Sequence, residues 1–346
     1  MPIPSLKIGL IGAGRIGHLH AEHLTTRIPS ADVLMVADAF EETARQCAES
    51  FAIASFTRDY RVVLDRPDIE AVVICASTDT HARIIEEAAQ AGKHIFCEKP
   101  IALDLASIDR ALKAVKRAGV KLQIGFNRRF DASFNRARQA IECGEIGQPH
   151  QFEIVSRDPT PPPIEYIRVS GGIFLDMTIH DFDMTRFLMG SEVEQVFALG
   201  GVMSDPAIGE AGDVDTCVVS LRMTNGVIGT ISNSRRAAYG YDQRVEVLGS
   251  AGAISIGNNY PNTAIISDSH SVRRDLPQHF FLERYNESFV AEMTAFIDAV
   301  LHNTPVPVTG YDGRAPVVIA MAAQKSLEEH RPIYLSEIEQ QREETK

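Results

Sequence analysis

The stretch KIGLIGAGRIG, residues 7–17, decides the fold of the N-terminal half of this chain. Its apolar residues 8–11 are typical of a buried strand, and a helix-like pattern follows over residues 15–25. Between them, Gly12, Gly14 and Gly17 stand in GxGxxG spacing, which permits a tight turn, close approach of a pyrophosphate and close packing of helix on strand. The sequence therefore predicts a dinucleotide site at the N-terminus of this helix.

An acidic residue at the end of the next strand strengthens this prediction, because GxGxxG alone is weak evidence. Asp38 follows the β-like run of residues 33–37, where its carboxylate can accept hydrogen bonds from an adenosine ribose. The same charge would repel the 2′-phosphate of NADP, so we predict NAD as the cofactor. The alternative is a glycine turn beside a solvated aspartate.

Strands and helices alternate up to about residue 126, which predicts an α/β fold with a doubly wound parallel sheet. Apolar runs at residues 71–76, 94–97 and 121–126 indicate further strands, and Asp79 or Thr80 is the expected N-cap of the helix after the first of them. Ligands bind such sheets at the carboxyl ends of the strands. The residues at those ends are Gly12, Asp38, Ser77 and Lys99.

The pattern changes after about residue 152, where strands with much alternation follow one another through short links. The strands are expected at residues 152–156, 193–201, 214–223, 227–234, 244–248 and 253–256. Asn225-Gly226 is a strong hairpin turn within this series. We therefore predict two domains, a nucleotide-binding domain in residues 1–126 and, in residues 127–346, a domain with a mainly antiparallel sheet and C-terminal helices.

Composition excludes several classes of protein. The chain has 346 residues, 45% hydrophobic and 23% charged, with a formal net charge of −12, which argues against a nucleic-acid surface. Its apolar runs are shorter than the roughly 18 residues of a membrane helix, and the N-terminus lacks a signal-peptide pattern. The five cysteines are scattered without CxxC spacing, which is typical of reduced thiols. We expect a cytoplasmic protein with neither nucleic-acid nor membrane partners.

A second chemical motif, GGIFLDMTIHDFD, occupies residues 171–183. On a helix, Asp176, His180 and Asp183 lie at i, i+4 and i+7, which places a carboxylate one turn from an imidazole. Histidine suits a base that takes a hydroxyl proton, and a nearby carboxylate orients its ring. A surface pair without a role is the alternative. These groups could also bind Zn, Mn or Fe, but the spacing is not HExxH, and we expect no metal.

Lys99 is the third candidate for chemistry. A lysine at a strand end is usually a solvated charge. Lys99, however, ends a parallel strand at the ligand-binding edge and precedes Pro100, which fixes the local backbone. We therefore predict that its ammonium stabilises an alkoxide of the substrate beside the nicotinamide.

Four motifs together carry a family resemblance: GAGRIG (12–17), STDTH (77–81), CEKP (97–100) and GGIFLDMTIHDFDM (171–184). Over nearly the whole chain they resemble the Gfo/Idh/MocA family of NAD(P)-dependent oxidoreductases. The resemblance implies a Rossmann domain, then an α/β domain with a large open antiparallel sheet that mediates homodimers or homotetramers. It also implies that Lys99, Asp176 and His180 are the catalytic residues.

Two shorter stretches, GFNRRFD (125–131) and YGYD (239–242), further resemble the inositol-oxidising branch of that family. The resemblance implies NAD-dependent oxidation of a cyclic polyol, with myo-inositol giving 2-keto-myo-inositol (scyllo-inosose) and His180 as base. Similar inositol dehydrogenases often carry His and Asn where this chain has Ser156 and Asp158. Another inositol isomer and another sugar such as a pyranose therefore remain alternatives. A non-catalytic cofactor-binding sensor is a further alternative, because a fold does not fix a function.

The motifs and the family resemblance together imply two sets of ligand-binding residues. The cofactor set is Gly12, Gly14, Arg15, Ile16, Gly17, Asp38, Ser77, Thr78, His81, Glu98, Lys99 and Arg128. The substrate set is Lys99, Arg128, Asp158, Asp176, His180 and Tyr239.

Overall fold

The computed structural model describes residues 4–344, and these form two compact units. The first unit contains the residues up to Phe130 together with Glu287–Val317. The second contains Asp131–Asn286 together with the residues from Val318 onward. The predicted domain division between residues 126 and 127 stays a prediction, because a compact unit is not by itself a folding domain.

Six parallel strands form the sheet of the first unit, in the order β3-β2-β1-β4-β5-β6. They are β1 (Leu6–Ile11), β2 (Ala31–Ala37), β3 (Phe56–Thr57), β4 (Ala71–Ile74), β5 (His94–Glu98) and β6 (Leu122–Gly125). This is the strand order of a doubly wound dinucleotide-binding sheet, and the predicted fold class is confirmed for this half.

Helices connect these strands. They are α1 (Arg15–Thr26), α2 (Glu41–Ser50), α3 (Tyr60–Asp65), α4 (Thr78–Gln90) and α5 (Leu105–Ala118). The cap prediction for α4 was wrong, because this helix begins at Thr78 and Ser77 occupies the N-cap position. Asp104 caps α5 by accepting a hydrogen bond from the backbone N–H of Ser107, and Gly119 ends that helix in the left-handed conformation.

The core of the first unit lies between the sheet and its helices. Strand β1 lies in the middle of the sheet, where helices cover the faces of a parallel sheet, and its Ile8 and Leu10 have no exposed surface. A later helix, spanning Asn286–Leu301, inserts Phe296 and Ile297 into this core. The apolar residues of this helix recur at helical spacing, which is typical of one buried face.

A seven-stranded sheet, ordered β12-β11-β7-β10-β9-β8-β15, organises the second unit. Its strands are β7 (Pro149–Arg157), β8 (Val193–Gly201), β9 (Thr216–Met223), β10 (Ile228–Ser234), β11 (Asp242–Gly249), β12 (Ala253–Ile256) and β15 (Ile333–Tyr334). Only β7 and β10 pair in parallel, so the prediction of a mainly antiparallel sheet is confirmed. A separate hairpin joins β13 (Ile265–Ser267) to β14 (Val272–Arg274).

The remaining helices complete the chain. They are α6 (Ala132–Glu142), α7 (Ile164–Ser170), α8 (Ile179–Met189), α9 (Pro206–Glu210), α10 (Phe281–Arg284), α11 (Asn286–Leu301), α12 (Gly310–Glu329) and α13 (Leu335–Glu344). A 3₁₀ turn covers Asn127–Phe130, and a π-helical turn covers Phe174–Thr178. Within residues 4–344, none of the helices has the length and apolar character that crossing a membrane requires.

Candidate functional site

The glycine turn after β1 has the geometry that its sequence predicts. Gly12 has a φ of +95°, and an ideal Cβ on it would lie 2.5 Å from the backbone nitrogen of Ala76. An ideal Cβ on Gly17 would lie 1.9 Å from the carbonyl oxygen of Gly12, so α1 packs directly on the turn. Around Gly14, by contrast, an added Cβ would meet nothing within 4 Å. This open space at the start of α1 fits the pyrophosphate of a dinucleotide, which the helix N-terminus would stabilise.

Asp38 at the end of β2 is bonded to the same turn. Its Oδ2 accepts a hydrogen bond from the backbone N–H of Ala13 at 2.8 Å, and its Oδ1 accepts one from the N–H of Phe40 at 2.9 Å. A carboxylate can accept about four hydrogen bonds, so acceptor sites remain for ribose hydroxyls. The carboxylate therefore also holds the glycine turn in place, which the sequence did not predict.

Replacing Asp38 with alanine is expected to lower kcat/KM with NAD roughly 10- to 100-fold, since a hydrogen bond to a charged group is worth about 1.5–3 kcal/mol. The preference for NAD over NADP should fall at the same time. Initial rates with both cofactors measure this, and Asp32→Ala, an exposed position on the same strand, is the matched control. An unchanged cofactor preference in Asp38→Ala would refute the assignment.

The loop after β4 is joined to the loop after β5 by His81. This side chain is buried in α4, with Nε2 2.9 Å from the carbonyl oxygen of Ala76 and Nδ1 2.8 Å from that of Pro100. Lys99 is partly buried directly after β5, and its peptide bond to Pro100 is cis. The predicted cofactor residue His81 therefore fixes the backbone beside Lys99.

Arg128, assigned to both predicted sets, lies in the 3₁₀ turn Asn127–Phe130 that follows β6. The carboxyl end of β6 is at the same edge of the sheet as Asp38, Ser77 and Lys99. Arg128 is 6% exposed. Arg128 is thus a buried cation at the ligand-binding edge of a parallel sheet.

In the second unit, the motif of residues 171–183 does not form one continuous α-helix. Gly171 and Gly172 have φ values of +85° and +82°, and the π-helical turn Phe174–Thr178 precedes α8. The backbone N–H of Ile173 is bonded to Oδ1 of Asp213 at 3.0 Å, which fixes the start of the turn. Asp176 lies inside the π turn, so the plain α-helical spacing predicted between Asp176 and His180 was wrong.

The carboxylate of Asp176 is held by two side chains that sequence reasoning missed. Its Oδ1 accepts a hydrogen bond from the hydroxyl of Tyr166 at 2.9 Å, and its Oδ2 accepts one from Nη1 of Arg235 at 3.0 Å. The Arg235 side chain is 1% exposed and also reaches Asp213 at 3.3 Å. Asp176 is therefore part of an ion cluster centred on a buried arginine.

The charge of Arg235 is secured by its surroundings. Burial by itself lowers the pKa of this guanidinium, but the negative charges of Asp176, Asp213 and Asp158 more than offset the effect and raise its pKa above the ordinary value. This places Asp158, a predicted substrate residue, in the same electrostatic environment as Asp176. A signal for Arg235 did exist in the sequence, because two arginines follow the predicted strand that ends at Ser234.

A second buried network anchors the start of α8, where His180 lies. Asp181 is completely buried and accepts hydrogen bonds from Oγ of Ser156 at 2.6 Å and from Nδ2 of Asn233 at 2.7 Å. Thr178 donates to Oδ1 of Asn233 at 2.7 Å. These bonds fix the helix on β7 and β10, so the backbone that carries His180 is rigidly supported.

The hydroxyl of Tyr239, another predicted substrate residue, is hydrogen-bonded to side chains other than those that hold Asp176 and Asp181. It donates to Oδ2 of Asp242 at 2.5 Å and accepts from Nη1 of Arg157 at 2.9 Å. Burial and the adjacent Asp242 raise the pKa of the phenol, so Tyr239 stays protonated at neutral pH.

Two family models match this chain. An oxidoreductase family with an NAD-binding Rossmann fold matches residues 6–126, and the GFO/IDH/MocA C-terminal domain matches residues 134–255. The chain belongs to the GFO/IDH/MocA family. Its first unit thus contains an NAD-binding Rossmann domain, and NAD is the cofactor.

Individual members of the family are similar over nearly their full lengths. The chain is 48% identical to myo-inositol 2-dehydrogenase of Thermotoga maritima, with 96% of this chain and 99% of that protein covered. It is 46% identical to inositol 2-dehydrogenase of Rhizobium meliloti, with 96% and 100% covered. The crystal structure of scyllo-inositol dehydrogenase from Lactobacillus casei with bound NAD(H) and scyllo-inositol has a TM-score of 0.90 and 29% identity, with 96% and 99% covered.

Proposed function

We propose that this protein oxidises the C2 hydroxyl of myo-inositol to 2-keto-myo-inositol with NAD as the hydride acceptor. The similarity to the Thermotoga maritima enzyme, 48% over 96% of this chain, carries the proposal. The open glycine turn and Asp38 support it, because both fit a dinucleotide.

Three residues are proposed to perform the reaction. When bound, NAD would supply the hydride acceptor for the carbinol carbon. His180 accepts the hydroxyl proton as hydride leaves, because a neutral imidazole is matched to this step near pH 7. The ammonium of Lys99 stabilises the negative charge that develops on the oxygen. Asp176 remains the orienting partner proposed for His180, and Arg235 and Tyr166 keep its carboxylate in a fixed position.

The remaining predicted residues are proposed to bind ligands. Asp158 and Tyr239 would contact polyol hydroxyls, and Arg128 would lie near both ligands. In the first unit, the rest of the cofactor set would hold NAD through the glycine turn, Asp38 and the loops after β4 and β5. Aspartate suits a polyol because one carboxylate can accept hydrogen bonds from two neighbouring hydroxyls.

The test is a panel of substrates. The purified protein is incubated with NAD and myo-inositol, scyllo-inositol, chiro-inositol or glucose, and NADH absorbance gives the initial rates. We expect the highest kcat/KM with myo-inositol. Highest activity with scyllo-inositol would favour the reaction named for the Lactobacillus casei protein, and highest activity with glucose would favour a pyranose dehydrogenase. Binding of NAD without turnover of any polyol would indicate a sensor.

We also propose that the protein forms a homodimer or homotetramer through the open face of the second sheet. Along β9, buried and exposed residues alternate, so one face of the sheet is covered and the other is not. The uncovered face carries apolar side chains, including the cross-strand neighbours Leu199 and Val218, which are 56% and 45% exposed. A second copy of the chain is the proposed cover.

A cytoplasmic location is proposed as well, since all five cysteines are free thiols.

Introducing charge into this face is expected to reduce the oligomer to monomers. In the double variant Leu199→Lys and Val218→Lys, the two cations on each copy would repel those on the other copy. The apolar area that these two side chains bury on association would also be lost. Light scattering on a sizing column gives the mass of wild type and variant. Val272→Lys, at an exposed apolar position in the separate β13–β14 hairpin, is the control. A wild type that is monomeric would refute the proposal.

A further inference from the structure

Three ionisable side chains meet inside the first unit, next to Lys99. His20 on α1, Glu98 at the end of β5 and Glu292 on α11 each present a polar atom within 4.8 Å of the other two. His20 and Glu292 are completely buried, and the Glu98 side chain is 14% exposed. In the described part of the chain, these are the only three His, Cys, Asp or Glu side chains grouped in this way.

Hydrogen bonds satisfy only part of this cluster. Nε2 of His20 is 2.7 Å from Oε1 of Glu98, and the imidazole packs edge-on against Phe96 and Phe289. Both carboxyl oxygens of Glu292 lack a hydrogen-bond partner among the described residues. Gln123 donates to the backbone carbonyl of Glu292 at 2.8 Å, so this turn of the helix is fixed against β6. An ionised Glu292 would be a buried charge without a partner, which is very costly.

We propose that Glu292 is a neutral carboxylic acid in the folded protein and acts as a positioning residue for Glu98 and the strand end that carries Lys99. Two charged carboxylates this close inside a protein would repel each other and push Glu98 out of its site beside His20. One proton on Glu292 removes the repulsion. Gly125 shows how closely Glu98 is packed, because an ideal Cβ there would lie 2.9 Å from Oε2 of Glu98.

The proton belongs on Glu292 rather than on His20. Within residues 4–344, Nδ1 of His20 has no hydrogen-bond partner, so an imidazolium would leave a buried N–H donor unsatisfied. Burial and then the charge of Glu98 raise the pKa of Glu292 well above 4.5. The neighbouring thiols of Cys75 and Cys97 also have pKa values raised by burial, so they add no charge at neutral pH.

The proton on Glu292 makes the stability of the folded protein depend on pH. Below pH 4.5 Glu292 is protonated in both the folded and the unfolded chain, and its full contribution to stability is present. As the pH rises further, only the unfolded chain releases the proton, so stability falls until the folded-state pKa is reached. Glu292→Gln is neutral and of the same shape, and it does not titrate. The unfolding equilibrium constant of wild type relative to Glu292→Gln should therefore rise roughly tenfold per pH unit over this range.

The experiment combines infrared spectroscopy with urea unfolding of the full chain from about pH 5 to about pH 8. The carbonyl band of a buried protonated carboxyl group should be present in wild type at neutral pH and absent in Glu292→Gln. The stability advantage of Glu292→Gln should grow with pH. Glu287→Gln, an exposed position on the same helix, is the matched control and should show no such growth.

Several outcomes would overturn the inference. They are a wild type without the carbonyl band, a Glu292→Gln protein that cannot fold although its side chain is a neutral isostere, and a stoichiometric divalent metal that the substitution removes. The positioning role rests on the proposed function and has its own readout: kcat/KM of wild type relative to Glu292→Gln should stay constant while the folded protein keeps the proton on Glu292, and should fall as the pH rises through the folded-state pKa. A ratio that stays flat even above the pH at which the infrared carbonyl band disappears would refute that role alone, whereas the infrared result itself needs no substrate.

Discussion

Replacing Lys99 with alanine is expected to lower kcat roughly 100- to 1,000-fold, the usual effect of removing one group that stabilises a developing oxyanion. The affinity for NAD should stay within a small factor, because the charge acts on an oxygen that becomes negative only in the transition state. Steady-state rates with myo-inositol and fluorescence titration with NADH measure the two quantities. The position of Lys99 directly after β5, beside backbone fixed by His81, is the structural basis of this expectation.

Lys121→Ala is the matched control for this experiment. Lys121 lies just before β6, at the opposite end of the parallel sheet, and its ammonium donates to the carbonyl oxygen of Thr304. Its loss should leave kcat near the wild-type value. If Lys99→Ala turned over at nearly the normal rate, the proposed role would be wrong, and a loss confined to NAD binding would make Lys99 a cofactor residue.

Replacing His180 with alanine is expected to lower kcat/KM roughly 100- to 10,000-fold, the range attributed to a general base. In wild type, kcat/KM for oxidation should fall as the pH drops, because a protonated imidazole cannot accept the hydroxyl proton. That acid limb should be absent from His180→Ala. His150→Ala, an exposed histidine on β7, controls for the loss of an imidazole.

Asp176→Asn tests the orienting carboxylate separately from the base. The amide keeps the shape but removes one of the two carboxylates bonded to the buried Arg235, so a lower melting temperature should accompany the lower kcat. A folded variant that binds NAD and turns over slowly would agree with the proposal.

If His180→Ala retained its rate and its acid limb, the proton acceptor would be another residue, with Lys99 or Tyr239 the next candidates.

Much of the first unit could be predicted because its signals are local. GxGxxG, the runs of residues 8–11 and 33–37, and the acid at Asp38 all lie within residues 7–38, and the later apolar runs are each local as well. Chain connectivity then imposes a parallel sheet. The strands of the second unit were predicted for the same reason, since alternation with a period of two is read directly from the chain. Position and spacing made Lys99, Asp176 and His180 candidates for chemistry, and the family resemblance implies the same three residues.

The surroundings of those residues could not be predicted in this way. The π turn at Phe174–Thr178 arises where two left-handed glycines and the bond from Ile173 to Asp213 fix the start of the motif, and helical periodicity does not reveal such a turn. The pairing of Asp176 with Arg235 spans 59 positions in the chain. No local sequence pattern indicates a pairing between residues so far apart in the chain.

The sequence by itself determined the fold class, the dinucleotide turn and the identity of the cofactor, because each depends on residues that are neighbours in the chain. Only the tertiary structure decided which charges are paired and which are buried together. His20 and Glu98 are 78 residues apart, and Glu292 comes from a helix near the other end of the chain. Their meeting depends on how α1, β5 and α11 pack, and packing is set by the whole core rather than by any single stretch.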